Sequence, residues 1–161
     1  MTVRLATAVE YEEVGAITVA AYTVDGYLDA ERSYAKVLHD AEDRARQAEL
    51  WVGVEGEELV GTVTICPTGS TYRELAVESD QGEFRMLAVA PHARRRGVAR
   101  ALVNHCIARS RQEGHREIVI CSVDTMASAH ALYESIGFVR APELDWSPVA
   151  GILLWGYRLP L

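Results

Sequence analysis

One stretch, Phe84 to Arg100, narrows the architecture furthest. Phe84-Arg85-Met86-Leu87-Ala88-Val89 is an apolar run of strand length, and Ala90-Pro91-His92 turns it. Arg94-Arg95-Arg96-Gly97-Val98-Ala99-Arg100 then opens a segment with helical apolar spacing, Val98, Leu102 and Cys106 falling on one face with Val103 and Ile107 beside them. A helix start leaves backbone N–H groups without partners and carries partial positive charge. Gly97 and Ala99 are small enough for a ligand to reach that backbone. A strand, a turn and such a helix start together make a phosphate cradle.

The rest of the chain supplies a sheet for this strand. Val3–Ala6 reads as a first strand, and Thr7 caps a helix over Val9–Tyr22. A second helix is expected over Leu28–Gln47, with Leu28, Tyr34, Val37, Leu38 and Ala41 as its stripe. Leu50–Val54 and Glu58–Cys66 form a hairpin around Glu55-Gly56-Glu57, and Pro67–Gln81 is a polar loop. The Gly82–Val89 strand leads through the Arg94–Glu113 helix, stopped by Gly114, into an apolar strand at Arg116–Val123. A helical crossover makes those two strands parallel. A further helix ends at Gly137, and Phe138–Arg140 and Gly151–Leu159 are antiparallel strands around a loop at Pro142–Pro148. With no repeat or linker, residues 1–161 are expected to form a single α/β domain around a mixed sheet.

Composition excludes several classes. No apolar run approaches the roughly 20 residues of a membrane span, and Met1–Leu5 is not a secretory leader, so a soluble cytoplasmic protein is expected. Cys66, Cys106 and Cys121 are odd in number and sit among apolar neighbours, which suits buried thiols. The five histidines form no ligand-spaced cluster, so no metal is expected. Residues 1–81 carry sixteen acidic and six basic side chains, residues 82–161 seven and ten. The net charge of −7, with arginines gathered at one helix start and no interleaved aromatics, argues against nucleic acid and for a compact phosphorylated ligand.

The pattern Arg94-x-x-Gly97-x-Ala99 after a strand resembles the acyl-CoA pyrophosphate loop of the GNAT family of N-acetyltransferases. Downstream, Ala129, Leu132, Tyr133, Gly137 and Phe138 match that family's Asn-x-x-Ala-x-x-Leu-Tyr-x-x-x-Gly-Phe signature, with Met126 in place of the Asn. The likeness is strong from Gly82 to Phe138; before that only the order of elements agrees. It implies an α+β fold with a mixed, mostly antiparallel central sheet, helices on both faces and a central strand pair that splays apart. It implies acetyl-CoA as co-substrate and a primary amine of a small molecule or peptide as acceptor, with direct attack in a ternary complex. The pantetheine arm would pair with the backbone of Leu87, Ala88 and Val89. The pyrophosphate would lie on the N–H groups of Arg95–Arg100, with Arg94, Arg95, Arg96, Gly97, Val98, Ala99 and Arg100 around it and Ala129 and Tyr133 opposite. Tyr133 is the candidate general acid toward the leaving sulfur. Glu83 is the leading candidate base, with Glu78, Asp80 and His92 as alternatives. His130 and Glu134 are expected at the solvent or the cofactor's edge. Tyr22, Tyr27, Trp146 and the Pro67–Gln81 loop are candidates for the acceptor wall. A non-catalytic CoA-binding regulatory module on the same fold is the alternative function. A homodimer through the last strand is allowed but not required.

Overall fold

The computed structural model describes residues 1–28 and 33–161. Three strands, β1 (Thr2–Leu5), β2 (Glu49–Glu55) and β3 (Glu58–Ile65), run antiparallel to one another. After a loop the chain re-enters as β4 (Gln81–Gly82) and β5 (Phe84–Val89). Next come α4 (Val98–Gln112), β6 (Glu117–Val123), α5 (Ala127–Ile136), β7 (Val139–Arg140) and β8 (Leu154–Pro160). The first half carries α1 (Tyr11–Val24), α2 (Tyr34–His39) and α3 (Ala41–Gln47).

The single helix expected over Leu28–Gln47 is two helices, α2 and α3, and its stretch 29–32 lies outside the described residues. Asp40 causes the break. It leaves helical geometry at ψ 72°, and its carboxylate accepts from the Asp43 N–H at 2.9 Å, which caps α3. A short acidic side chain that satisfies a free helix-start donor competes with continuing the helix through it. Arg44 of α3 is fully buried and donates to the Leu38 carbonyl at 2.8 Å and the Thr18 hydroxyl at 3.2 Å, tying α1, α2 and α3 together.

Alternation along β2 puts helices on both faces of the sheet. Leu50 and Val52 pack with Val14 and Ala41, on the α1 and α3 side. Trp51 meets His105, and Gly53 faces Leu102, on the α4 side. The main core lies under α4 and α5, where Val60, Val63, Leu102, Val103, Ile118, Ile120, Phe138 and Tyr157 are buried. Each such side chain contributes about 1.5–3 kcal/mol on burial.

The strands divide into two four-stranded sheets, ordered β1-β2-β3-β5 and β4-β6-β8-β7. One continuous segment crosses between them. At Gln81 and Gly82 it pairs parallel with Glu117 and Ile118 of β6, and from Phe84 onward it pairs only with β3. Gly82 is needed at the junction, because a Cβ there would meet the Ser110 hydroxyl at 2.5 Å and the His115 ring at 2.9 Å. The last strand lies inside its sheet over part of its length. β8 lies between β6 and β7, and Trp146 bridges Leu154. No helix is long and apolar enough to cross a membrane among the described residues.

Candidate active site

Because β5 leaves β6 after Gly82, a wedge opens between Phe84–Val89 and Cys121–Val123. It widens into a cavity of about 860 Å³. One wall of the wedge is a sheet edge, since β5 is the last strand of its sheet. Edge backbone is ready to accept an extended ligand as a further strand. Within β5 the pairing with β3 slips, Thr62 facing Ala88 while Thr64 faces Arg85, so two residues on β5 oppose Val63. Met86 takes a left-handed conformation, φ 53°, at this bulge. Strain of this kind in a non-glycine residue costs on the order of 1–3 kcal/mol and gathers where backbone is aimed at a ligand.

The wedge runs into the turn before α4. Pro91–Ala93 form one 3-10 turn, Arg95 has φ 61° and Gly97 has φ 83°. Two left-handed residues two positions apart turn successive N–H groups inward. The first helical bond is Ala101 N–H to the Gly97 carbonyl at 3.0 Å, so the donors of Val98, Ala99 and Arg100 lie in the unpaired first turn. No heavy atom lies within 4 Å of a Cβ built on Gly97, so the mouth of this turn is open.

The arginines divide by task. Arg94 forks onto Asp25 at 2.7 and 2.8 Å and donates to the Ala21 carbonyl at 3.1 Å, fastening the turn to the end of α1. Arg96 pairs with Glu55 on the β2–β3 turn and is not among the residues lining the cavity. Arg94, Arg95 and Arg100 do line it. Arg95 makes no ion pair among the described residues, and Arg100 donates to the Ser135 hydroxyl at 2.6 Å. Sequence spacing alone does not separate these four, because their partners Asp25, Glu55 and Ser135 are remote in the chain.

Across the wedge, α5 presents Ala129, Leu132 and Tyr133 to the cavity. Tyr133 is buried among Phe84, Phe138 and Tyr157, with ring centroids 5.6–6.2 Å away. Burial raises its phenol pKa, so it stays a proton donor at neutral pH. Its hydroxyl has no hydrogen-bond partner among the described residues. Met126 precedes α5 and offers no side-chain cap; its sulfur instead accepts from the Ser122 hydroxyl at 3.3 Å. His130 is buried, not at the solvent. Its Nε2 lies 3.0 Å from the Val123 carbonyl and its ring stacks on Trp155 at 5.2 Å.

At the floor of the wedge the carboxylates are arranged unlike the sequence expectation. Glu83 is 3 % exposed and is not among the cavity-lining residues. Its carboxylate accepts from the N–H groups of Glu74 at 3.1 Å, Leu75 at 3.0 Å and Ala76 at 2.9 Å. Asp80 pairs with Arg116 at 3.3 Å and His92 with Glu58 at 2.8 Å, both outside the cavity. The carboxylate that does line the cavity is Glu74, 2.7 Å from Arg85. The same cavity is lined by Tyr22, Tyr27, Tyr34, Trp146, Val149 and Ile152. Among the thiols only Cys121 faces the cavity, and burial pushes its pKa up to about 12, which removes it as a thiolate nucleophile.

The model of the acetyltransferase (GNAT) family matches residues 12–138. The chain belongs to that family. Similar proteins include N-acetyltransferase 8 of Homo sapiens, 34 % identical over 92 residues, covering 56 % of this chain and 38 % of that protein. N-acetyltransferase 8 of Mus musculus is 26 % identical over 137 residues, covering 82 % of this chain and 55 % of its own. The chain thus spans about half or less of these curated relatives. Among solved structures, a ribosomal-protein-alanine N-acetyltransferase from Brucella melitensis superposes with a TM-score of 0.71 at 20 % identity over the whole of both chains. A putative acetyltransferase from Salmonella typhimurium, solved with its cofactor acetyl-CoA, gives 0.69 at 19 % identity over 100 % of this chain and 94 % of that one. These likenesses establish the GNAT fold.

Two features of this GNAT site escaped sequence reading. The Met86 bulge leaves no mark in composition, since Met is an ordinary strand residue. Glu74 sits in a polar loop with three other acidic or amide side chains between residues 74 and 81, and nothing local distinguishes it.

Proposed function

We propose that this chain, acting as one domain over residues 1–161, is an acyl-CoA-dependent N-acetyltransferase in the cytoplasm, using acetyl-CoA and a primary amine of a small molecule or peptide. The observation that carries the reading is the unpaired edge of β5 leading directly into the left-handed turn at Arg95 and Gly97. An extended arm ending in a pyrophosphate fits that sequence of surfaces: a strand edge first, then inward N–H groups at a helix start.

Acetyl-CoA supplies the activated acetyl thioester. Leu87, Ala88 and Val89 hold its arm through their backbone. Gly97, Val98, Ala99 and Arg100 hold the pyrophosphate through N–H groups, with the Arg95 and Arg100 side chains adding charge and Ala129 packing opposite. Arg94 supports the turn from behind, through Asp25, and Arg96 sits outside. N–H groups at the β5 bulge, from Leu87 or Ala88, stabilise negative charge that develops on the carbonyl oxygen. Tyr133 donates to the departing sulfur. An alkyl amine has a pKa near 10.4 and arrives protonated, so a base must free it before it attacks. The raised thiol pKa of Cys121 leaves direct attack by the amine as the route.

The test is free-thiol release from acetyl-CoA with a panel of amines, beside calorimetric titration of CoA. Acceptor-dependent release is expected. Binding of CoA with no acceptor-dependent release would replace this reading with a regulatory CoA-binding module.

A further inference from the structure

We propose that Glu74 is the general base of the transfer and that Glu83 is the positioning residue that holds it in the cavity. This rests on the acetyltransferase reading above. The two carboxylates are linked by the backbone between residues 74 and 76. Glu83 stands between β4 and β5, at the point where the strand leaves β6. Buried there, its carboxylate would be costly without partners, and the three N–H groups of Glu74, Leu75 and Ala76 satisfy it. That clamp fixes the loop backbone at residues 74–76, and the residue at its first position is the one whose side chain lines the cavity.

The clamp sets Glu74 level with the fork. Continuing the parallel register from Gly82 and Ile118 places Arg85 opposite Cys121. Glu74 bonds to Arg85 there. Leu87 follows two residues later, just past the Met86 bulge. An amine lying between them reaches the carboxylate on one side and the thioester carbon on the other.

The groups that face Glu74 come from every element around it. Arg85 of β5 lowers its proton affinity; Glu83 raises it; Tyr34 of α2, Cys66 after β3 and Cys121 of β6 complete the shell. Burial is the largest influence, and the carboxyl is held above its ordinary 4.5 in spite of Arg85. A base raised toward neutrality is better matched to an ammonium proton. Arg85 is in turn held by the Tyr72 carbonyl at 3.0 Å, which keeps it from swinging with its partner.

The proton balance closes. Glu74 accepts one proton from the ammonium and returns it to solvent. The neutral nitrogen forms the C–N bond, the C–S bond breaks, and the sulfur takes its proton from Tyr133. The second nitrogen proton replaces the one Tyr133 gave, through water. The products are an amide, a thiol and one released proton.

The experiment compares wild type, Glu74→Gln and Glu83→Gln in thiol-release assays across pH, with CoA titration of each. Glu74→Gln is expected to lower kcat about a hundredfold with CoA affinity unchanged. Glu83→Gln is expected to lower kcat less and to move the acid limb of the kcat profile to lower pH, because removing its charge eases ionisation of Glu74. A Glu83 that only stabilised the loop would leave that limb in place. Glu74 has a side chain 27 % exposed, so its variant tests the base role even if Glu83→Gln does not fold. Wild-type kcat in Glu74→Gln would overturn the base and leave the acetyltransferase reading intact. A wild type that binds CoA but acetylates no amine would overturn both.

Discussion

The two ends of the cavity are built in opposite ways. The donor end is backbone: the β5 edge, the bulge at Met86 and the left-handed turn before α4, nearly all within residues 84–100. The end proposed for the acceptor is side chain, drawn from cavity-lining residues remote in sequence: Tyr22 and Tyr27 near the end of α1, Tyr34 on α2, Glu74 in a loop, and Trp146, Val149 and Ile152 between β7 and β8. A backbone site is specified by where the chain may bend and how closely a ligand may approach, so it is written contiguously. A side-chain site is gathered by topology from distant segments. The first can stay constant while the second is remade, which is how one fold serves many acceptors.

Substitutions can break or sharpen that contrast. Tyr133→Phe, the one side chain at the donor end with a chemical task, should lower kcat about a hundredfold with CoA affinity unchanged. Unaltered turnover would remove its role and leave the donor end with backbone and arginine charge alone. Gly97→Val should raise the KM for acetyl-CoA about tenfold, since a left-handed β-branched residue costs roughly 1–2 kcal/mol. An unchanged KM would mean the turn is not the phosphate site. Arg95→Ala should weaken CoA binding severalfold and flatten its salt dependence, through loss of a charged contact worth about 1.5–3 kcal/mol at most. Arg96→Ala should change CoA affinity little, because that guanidinium is committed to Glu55. Equal losses in the two variants would contradict the division of the arginine run.

The smallest effect lies at neither end. Glu10, bonded to Arg4 at 2.6 Å and to the Thr7 N–H at 2.7 Å, is held from its ordinary 4.5 down to about 2, chiefly by Arg4. A carboxylate with a lowered native pKa stabilises fully above its unfolded pKa and loses that contribution as pH falls through the native one. The melting temperature of Glu10→Gln should therefore fall below wild type near pH 6, with the gap closing between about pH 4.5 and pH 2. A gap independent of pH would show that the carboxylate's charge is not what holds the start of α1.

What was readable follows the same contrast. The strand–turn–helix at Phe84–Arg100, the Tyr133–Phe138 helix end and the parallel relation of the two central strands all follow from local periodicity, a glycine stop and crossover handedness. The break at Asp40 was hidden because the apolar stripe of Tyr34, Val37, Leu38 and Ala41 continues through it, and only capping geometry marks the change. His130 looked like a surface residue beside Tyr133, yet stacking on Trp155 and a bond to Val123 bury it. Both partners belong to other strands. Glu83 stands out in the sequence as a carboxylate at the start of the Phe84–Val89 strand, but the direction of its side chain depends on a loop nine residues upstream.

The open edge of β5 has a consequence for inhibition. If the arm of the donor is gripped by N–H and C=O groups, then a competitor that copies the arm contacts atoms common to every residue type. Selection for resistance would find few useful single changes at Leu87, Ala88 or Val89, because exchanging one side chain for another leaves the gripping atoms where they were. Proline alone deletes an N–H. In this stretch Ala88 and Val89 also lie in register with Thr62 and Gly61, so a proline whose missing N–H faced β3 would loosen β5 from its own sheet and leave the drug's bonds in place.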